Sequence, residues 1–140
     1  MQPAQISRTG LDVEWRRLEV IAHNLANMST TSGTGEPFRP QRLVSGPRAT
    51  FDGLLNAGRS GSTAGTRVLG LETVAGAVRR VHEPGHPHAD AAGFVTYPDV
   101  DQAAEMALLL RTSRIYEANL AAMSIAHQMY SRALDLGRSA

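Results

Sequence analysis

Leu11, Trp15, Leu18, Ala22 and Leu25 follow one another at steps of 4, 3, 4 and 3. That is the a/d spacing of a helical seam. A second apolar row, Ile6, Val13 and Val20, runs beside it at a spacing of seven, and Asp12, Glu14, Arg16, Arg17 and Glu19 fill the gaps. Asp12 and Arg16 stand four apart in the order that supports a helix. The pattern predicts an N-terminal helix whose Leu18 and Leu25 face a second helix, with Gly10 weakening its first turns. Asn27, placed after the last seam residue, predicts a left-handed helix end, and Asn24 a hydrogen bond to the following turn.

The C-terminal stretch carries two seams. One is Met106, Leu109, Ser113, Tyr116, Leu120, Met123, His127, Tyr130 and Leu134. The other includes Leu108, Ile115, Ala118, Ile125, Met129 and Leu136. At about 100° per residue the two rows lie on nearly opposite faces of a helix roughly 55 Å long. Asp99 or Asp101 is its predicted N-cap and Gly137 its predicted stop.

Gly and Pro separate these helices. Residues 29–98 hold eleven of the thirteen Gly and six of the seven Pro, and residues 99–136 hold neither. The chain therefore divides into an N-terminal helix (1–28), an extended and β middle segment (29–98) and a C-terminal helix (99–140), within one structural domain. Strand-like runs are Phe38–Val44, Arg67–Val74 and Val78–His82, and 57–66 is a low-complexity tip. The fold class is mainly α: two long terminal helices forming a coiled-coil hairpin, with a small irregular or β middle. One N-terminal helix covers one C-terminal seam. The Gly-rich middle has too few large apolar side chains to cover the other, and no third helix is present to build a bundle. A lone subunit would thus expose an apolar strip longer than soluble monomers tolerate.

Composition removes several kinds of chemistry. The 140 residues contain no Cys, which excludes disulfides, thiolate catalysis and Cys-ligated metals. A net charge of +1 and 5% aromatic residues argue against nucleic acid as a partner. No run of some 18 apolar residues is present to span a bilayer, and the first twenty residues lack the basic-then-apolar form of a cleaved signal peptide. Without Lys there is no phosphate-binding P-loop, and no nucleophile elbow occurs. The residues predict no enzyme and no cofactor. His82, His86 and His88, with Glu83 and Asp90 nearby, raise the question of a metal. Pro84 and Pro87 interrupt the helical spacing such a site uses, so the cluster reads as histidines in a turn and no metal is expected. A small periplasmic metal-binding protein built on that cluster is the alternative.

Two stretches carry a family resemblance. Residues 23–44, HNLANMSTTSGTGEPFRPQRLV, resemble the N-terminal signature of flagellar axial proteins, in which a helix ends in Asn24-Leu25-Ala26-Asn27. Residues 82–106 resemble the proximal-rod members of the flagellar basal-body rod protein family. Pro84, Gly85, Pro87, Ala89, Asp90, Gly93, Val95, Pro98 and Val100 stand in the family's register, and SRIYEANLAA brings Tyr116, Ala118 and Asn119. His86, Phe94 and Asp99 depart from it.

The resemblance implies an axial-protein hairpin and a structural subunit. It would be exported unfolded through the flagellar type III apparatus, without a cleaved signal, and would polymerise in the periplasm into the proximal rod. Its partners would be other copies, other rod proteins, and the export gate and MS-ring side of the basal body. A distal-rod or hook-type axial protein is the alternative within that class, although those usually carry a larger middle domain. The seam residues would then be assembly contacts.

Overall fold

The structure is a computed structural model and describes residues 2–33, 36–48, 65–74 and 78–138. The tip at 57–64 lies outside these. In chain order the elements are α1 (Gln2–Asn27), β1 (Gln41–Pro47), β2 (Thr66–Thr73), β3 (Val78–His82), β4 (Phe94–Pro98) and α2 (Gln102–Arg138). β1 pairs antiparallel with β2, and β3 with β4, as two separate two-stranded sheets. The molecule is therefore mainly α with a small β middle.

The first strand starts later than its apolar pattern suggests. Pro40 has no N–H to give to a ladder, so pairing begins at Gln41, while the Pro40 carbonyl accepts the Val74 N–H at 2.9 Å and closes the end. β4 was not anticipated as a strand, because its five residues follow directly on the turn-rich 83–93 segment. Between Val44 and Ser45 the register with β2 slips, leaving Leu69 unpaired. Such a bulge reverses the in–out alternation beyond it. Val68 and Leu71 consequently line the same side of the ladder, over α1.

The helices lie side by side and antiparallel. Gly10 abuts Asn119 and Asn24 meets Glu105, so equal distances along α1 and α2 match in opposite directions. Continued at that register, the start of α1 falls opposite about His127, at 1.5 Å per residue. The last turns of α2 run on past it.

The face of α1 turned inward differs from the expected one. Val13, Glu14, Ile21 and Asn24 are buried, whereas Leu11, Leu18 and Leu25 are half-buried and Trp15 and Ala22 exposed. The inward direction is rotated by roughly 120° from the Leu-rich row, at 100° per residue. It follows the second row, with Gly10, Arg17 and Asn24 filling its gaps. The reason is close approach at one end and polar pairing at the other. A Cβ on Gly10 would stand 3.0 Å from the Asn119 carboxamide, which itself donates to the Ile115 carbonyl at 3.1 Å. On α2 the buried residues are Glu105 and Thr112, flanked by half-buried Leu108, Leu109, Tyr116 and Met123. This face draws on both expected seams and lies between them.

The helix ends also differ in part. Asp101 is the N-cap: its Oδ1 accepts the Ala104 N–H at 3.0 Å. Gly137 does not stop α2, which continues through Arg138 with no left-handed residue at that end. Nor is Asn27 left-handed. It closes α1 through its side chain, Nδ2 donating to the His23 carbonyl at 2.9 Å, and through its own carbonyl, which accepts the Thr30 N–H at 3.1 Å. The expected Asp12–Arg16 pair gives way to Arg16–Glu19 at 3.1 Å and Arg17–Glu14.

The close approach at Gly10 can be tested by urea unfolding. Gly10→Ala should change stability by less than about 1 kcal/mol, since gained helix propensity opposes displacement of the Asn119 amide. Gly10→Leu should lower it by about 2 kcal/mol through overpacking. A Leu variant as stable as the parent would refute the contact.

Candidate assembly surfaces and the polar node behind them

Asn24 is fully buried one turn before the end of α1. Its Oδ1 accepts the Gln41 N–H at 2.9 Å and its Nδ2 donates to the Gln41 carbonyl at 2.9 Å. A side-chain amide thus imitates a neighbouring strand against the first residue of β1. Nδ2 also lies 3.4 Å from Glu105 Oε1, which takes an ion pair from Arg42 at 3.0 Å. Glu105 is 2% exposed, and its Oε2 is buried without a hydrogen-bond partner among the described residues. Four side chains or backbone groups therefore join α1, β1 and the first turn of α2. The bond expected from Asn24 to the next turn instead reaches seventeen residues along the chain.

Losing the carboxamide would strand two backbone groups and remove a neighbour of a buried carboxylate. Asn24→Ala should therefore cost about 2–4 kcal/mol in chemical unfolding. Asn24→Asp sets a second carboxylate beside Glu105 and should cost more, and adding Glu105→Gln should recover part of the loss. A double variant no better than Asn24→Asp alone would break the assignment.

The second organised region is the loop between β3 and β4. Asp90 Oδ1 accepts the N–H groups of Ala92 and Phe94, each at 2.9 Å, and Oδ2 accepts from Arg80. Gly93 has φ +77°, and a Cβ there would meet the His82 ring and Pro84. Only Gly adopts that backbone without strain. The Phe94 N–H is the main influence holding the Asp90 carboxyl below its ordinary value; partial desolvation opposes it, and Ala92 and Arg80 assist. Tyr97 donates its hydroxyl to Glu83 at 2.9 Å, and that bond, with desolvation and the Glu83 charge, raises the phenol against a smaller opposing effect of Arg79. Arg79 and Arg80 stack over the Tyr97 and Phe94 rings.

The histidines serve this loop separately. His82 packs edge-on against Phe94 with centroids 5.0 Å apart. His86 Nδ1 accepts the His88 N–H at 3.0 Å, and His88 Nδ1 shares a hydrogen bond with the Thr31 hydroxyl at 2.9 Å. Among the described residues no three His, Asp or Glu side chains are grouped to hold a metal, so the alternative metal reading finds no ligand set there.

Because folding depresses the Asp90 pKa below 3.8, its stabilising effect is complete above that unfolded value and fades as pH falls through the lower folded one. Acid titration followed by amide NMR should show the Ala92 and Phe94 signals moving together below about pH 3.8. Asp90→Asn should abolish the transition. Amide shifts unchanged in the parent down to about pH 2 would contradict this.

The apolar residues expected to form an assembly seam are unevenly covered. Trp15 and Tyr116 meet, with ring centroids 6.3 Å apart, yet Trp15 remains 55% exposed. Leu108, Leu109, Ile115 and Met123 are half-buried between the helices. Leu120, Ile125, Tyr130 and Leu134 are exposed, as is Met129 at 68%, and they are joined by Met106, Leu110 and Leu136. Of the family-motif residues, Asn24 and Pro98 are buried and Asn119 sits against Gly10, while Ala26, Pro84, Gly85, Pro87 and Ala118 are exposed. Sequence reasoning missed Glu105 and Arg42, whose spacing along the chain carries no sign that they meet. It also missed Arg80 as the partner of Asp90, although β3–β4 pairing would have brought them together.

Comparison with known proteins adds the family. Residues 91–136 match the C-terminal region of flagellar basal body rod FlgEFG proteins. Over nearly the whole chain there is a closer likeness. The flagellar basal-body rod protein FlgC of Escherichia coli O6:H1 is 34% identical over 134 residues, covering 95% of this chain and 94% of that one. The Bacillus subtilis protein of the same name is 34% identical, with 95% of each chain covered, and that of Aquifex aeolicus 30%, covering 93% and 91%. The chain belongs to the FlgC family of flagellar basal-body rod proteins. The full-length matches set this branch, since the helical match alone is common to several rod and hook proteins. The family is structural rather than enzymatic, and its members associate with other components of the basal-body rod. Among the described residues no helix is long and apolar enough to cross a membrane.

Proposed function

We propose that the protein is a structural subunit of the proximal rod of the flagellar drive shaft and that it polymerises through its terminal helices. The observation that carries this reading is the uncovered apolar surface of α2: Leu120, Ile125, Met129, Tyr130 and Leu134 have no cover within the subunit. Burying such surface against neighbours contributes roughly 25 cal/mol per Å². Summed over a wall of packed helices, that offsets the ordering cost of association.

On this reading α1 and α2 form a coiled-coil hairpin of the axial-protein type, and the three parts of the chain, 1–28, 29–98 and 99–140, act as one structural domain. Leu11, Trp15, Leu18, Ala22 and Leu25 supply the outward contact of the N-terminal helix, and the exposed residues of α2 supply the rest. The neighbours are other copies, other rod proteins, and the export gate and MS-ring side of the basal body. The chain reaches the periplasm unfolded through the flagellar type III apparatus, without a cleaved signal. No catalytic step and no cofactor is involved.

In the source bacterium a tagged copy should co-purify with isolated basal bodies, and deletion of the gene should leave cells without a rod and non-motile. Ile125→Asp combined with Leu134→Asp should leave the chain secreted but unassembled, because burying a carboxylate in an apolar contact costs several kcal/mol. Motile cells with normal rods built from that double variant would refute assembly through α2.

A further inference from the structure

Two surfaces are left uncovered in different parts of the molecule. The first is a groove of about 790 Å³ along the outer side of α1, walled by β2. Its apolar lining is Trp15, Val68 and Tyr116, and Leu71 extends it toward His23. Val68 and Leu71 line one side together because of the bulge at Leu69. On its rim, Glu19 is already held by Trp15 Nε1 at 3.0 Å and by Arg16 at 3.1 Å. Arg48 and Arg67 stand there without an ion-pair partner among the described residues, opposite a single unpaired acid, Asp12.

The second surface is the end of α2 beyond about His127, which has no α1 beside it. Met129, Tyr130, Leu134 and Leu136 are all exposed there. The end also carries Arg132 and Asp135, three apart, and the negative pole of a 37-residue helix, whose last carbonyls lack partners within it. Because α2 is one uninterrupted helix, its end points away from the groove of its own subunit.

We propose that the groove between α1 and β2 seats the last turns of α2 from a second copy. Trp15, Val68 and Leu71 receive the apolar side chains at the end of that helix. Arg48 and Arg67 face its carbonyl end and Asp135, and Asp12 faces Arg132. The two surfaces are different, so the contact is head-to-tail: each copy that offers its helix end leaves its own groove open for the next. Repetition of such a contact builds a helical polymer rather than a closed dimer. The proposal rests on the rod reading for its biological place, and it names one of the contacts that reading requires. One groove and one helix end bury less than the about 800 Å² per partner of a stable isolated complex. The contact is therefore weak alone and strengthened by neighbours.

The test uses the full chain with each surface blinded separately. Val68→Asp with Leu71→Asp blinds the groove, and Met129→Asp with Leu136→Asp blinds the helix end. Circular dichroism and the urea midpoint establish that both variants fold. The parent should self-associate with concentration in analytical ultracentrifugation, while the emission of its single Trp, Trp15, shifts to the blue. Either variant alone should associate at least roughly tenfold more weakly. Mixed, they should form a 1:1 heterodimer that grows no further, since one intact groove then meets one intact helix end.

A self-pairing contact or a different occupant gives other results. Undiminished association of either variant alone, or no heterodimer in the mixture, overturns the proposal. Should a blinded variant fail to fold, Arg67→Glu replaces the groove variant: it should weaken association and be rescued by a partner bearing Asp135→Arg. Absence of rescue then overturns the proposal. Failure of the rod reading is separate. Heterodimers in solution from a chain that never enters basal bodies keep the contact and lose the rod, whereas normal rods built from the helix-end variant refute the contact alone.

Discussion

One carboxamide sets the rotation of α1. Asn24 is fully buried and has both ends of its side chain engaged by the backbone of Gln41. Turning α1 about its axis would strand those groups in an apolar contact, at about 1–3 kcal/mol each. The same amide borders Glu105, and Glu105 holds Arg42 of β1. The first turn of α2 and the first residues of β1 therefore share one anchor at the end of α1. Fourteen residues back, the missing side chain of Gly10 admits Asn119. With two fixed points on one face, α1 has no freedom to present its Leu-rich row to α2.

That rotation divides the surfaces of the helix. Val13 and Ile21 go inward, where few other side chains are fully buried. Trp15, with Leu11 and Leu18 half-buried beside it, is turned toward β2 and the outside. The polar node thus decides which apolar residues are available to neighbours, although it contacts none of them. Its unsatisfied Glu105 Oε2 fits a group retained for position more than for stability, since a buried carboxylate with an incomplete set of donors adds little net stabilisation.

Much of the architecture was legible from two simple features. Gly and Pro in 29–98 separated two helices, and the heptad spacing at both ends established their helical character. The phase of α1 was not legible in the same way. Its inward row includes Gly10, Arg17 and Asn24, so a count of apolar residues favours the other side of the helix. Long-range geometry, in which Asn119 needs space and Gln41 needs partners, overrode the local pattern. The Asn at the end of α1 invited a left-handed cap, but its side chain reaches the His23 carbonyl and makes that conformation unnecessary. The β3–β4 loop was readable as a rigid turn from Pro84, Gly85 and Pro87. Its principal organiser is nevertheless Asp90, which accepts two backbone N–H groups and Arg80. Acidic residues in loops are common, and only the paired strands reveal which backbone groups Asp90 serves.

The scarcity of a core bears on how such a chain works. Val13, Ile21 and Val95 are the fully buried hydrophobic residues among those described. A subunit of this size usually needs more buried apolar area to be robust alone. Here the large apolar side chains are displaced to the end of α2 and to the outer side of α1, where burial depends on a neighbour. Stability and assembly are thereby linked: whatever binds only the folded state deepens it by mass action. A chain that must travel unfolded, as proposed for this one, gains from a weak isolated fold because little has to be undone before export. The polar node keeps that economy compatible with specificity. It fixes the relative positions of α1, β1 and α2 with few buried atoms, so the surfaces are already arranged when the first neighbour arrives.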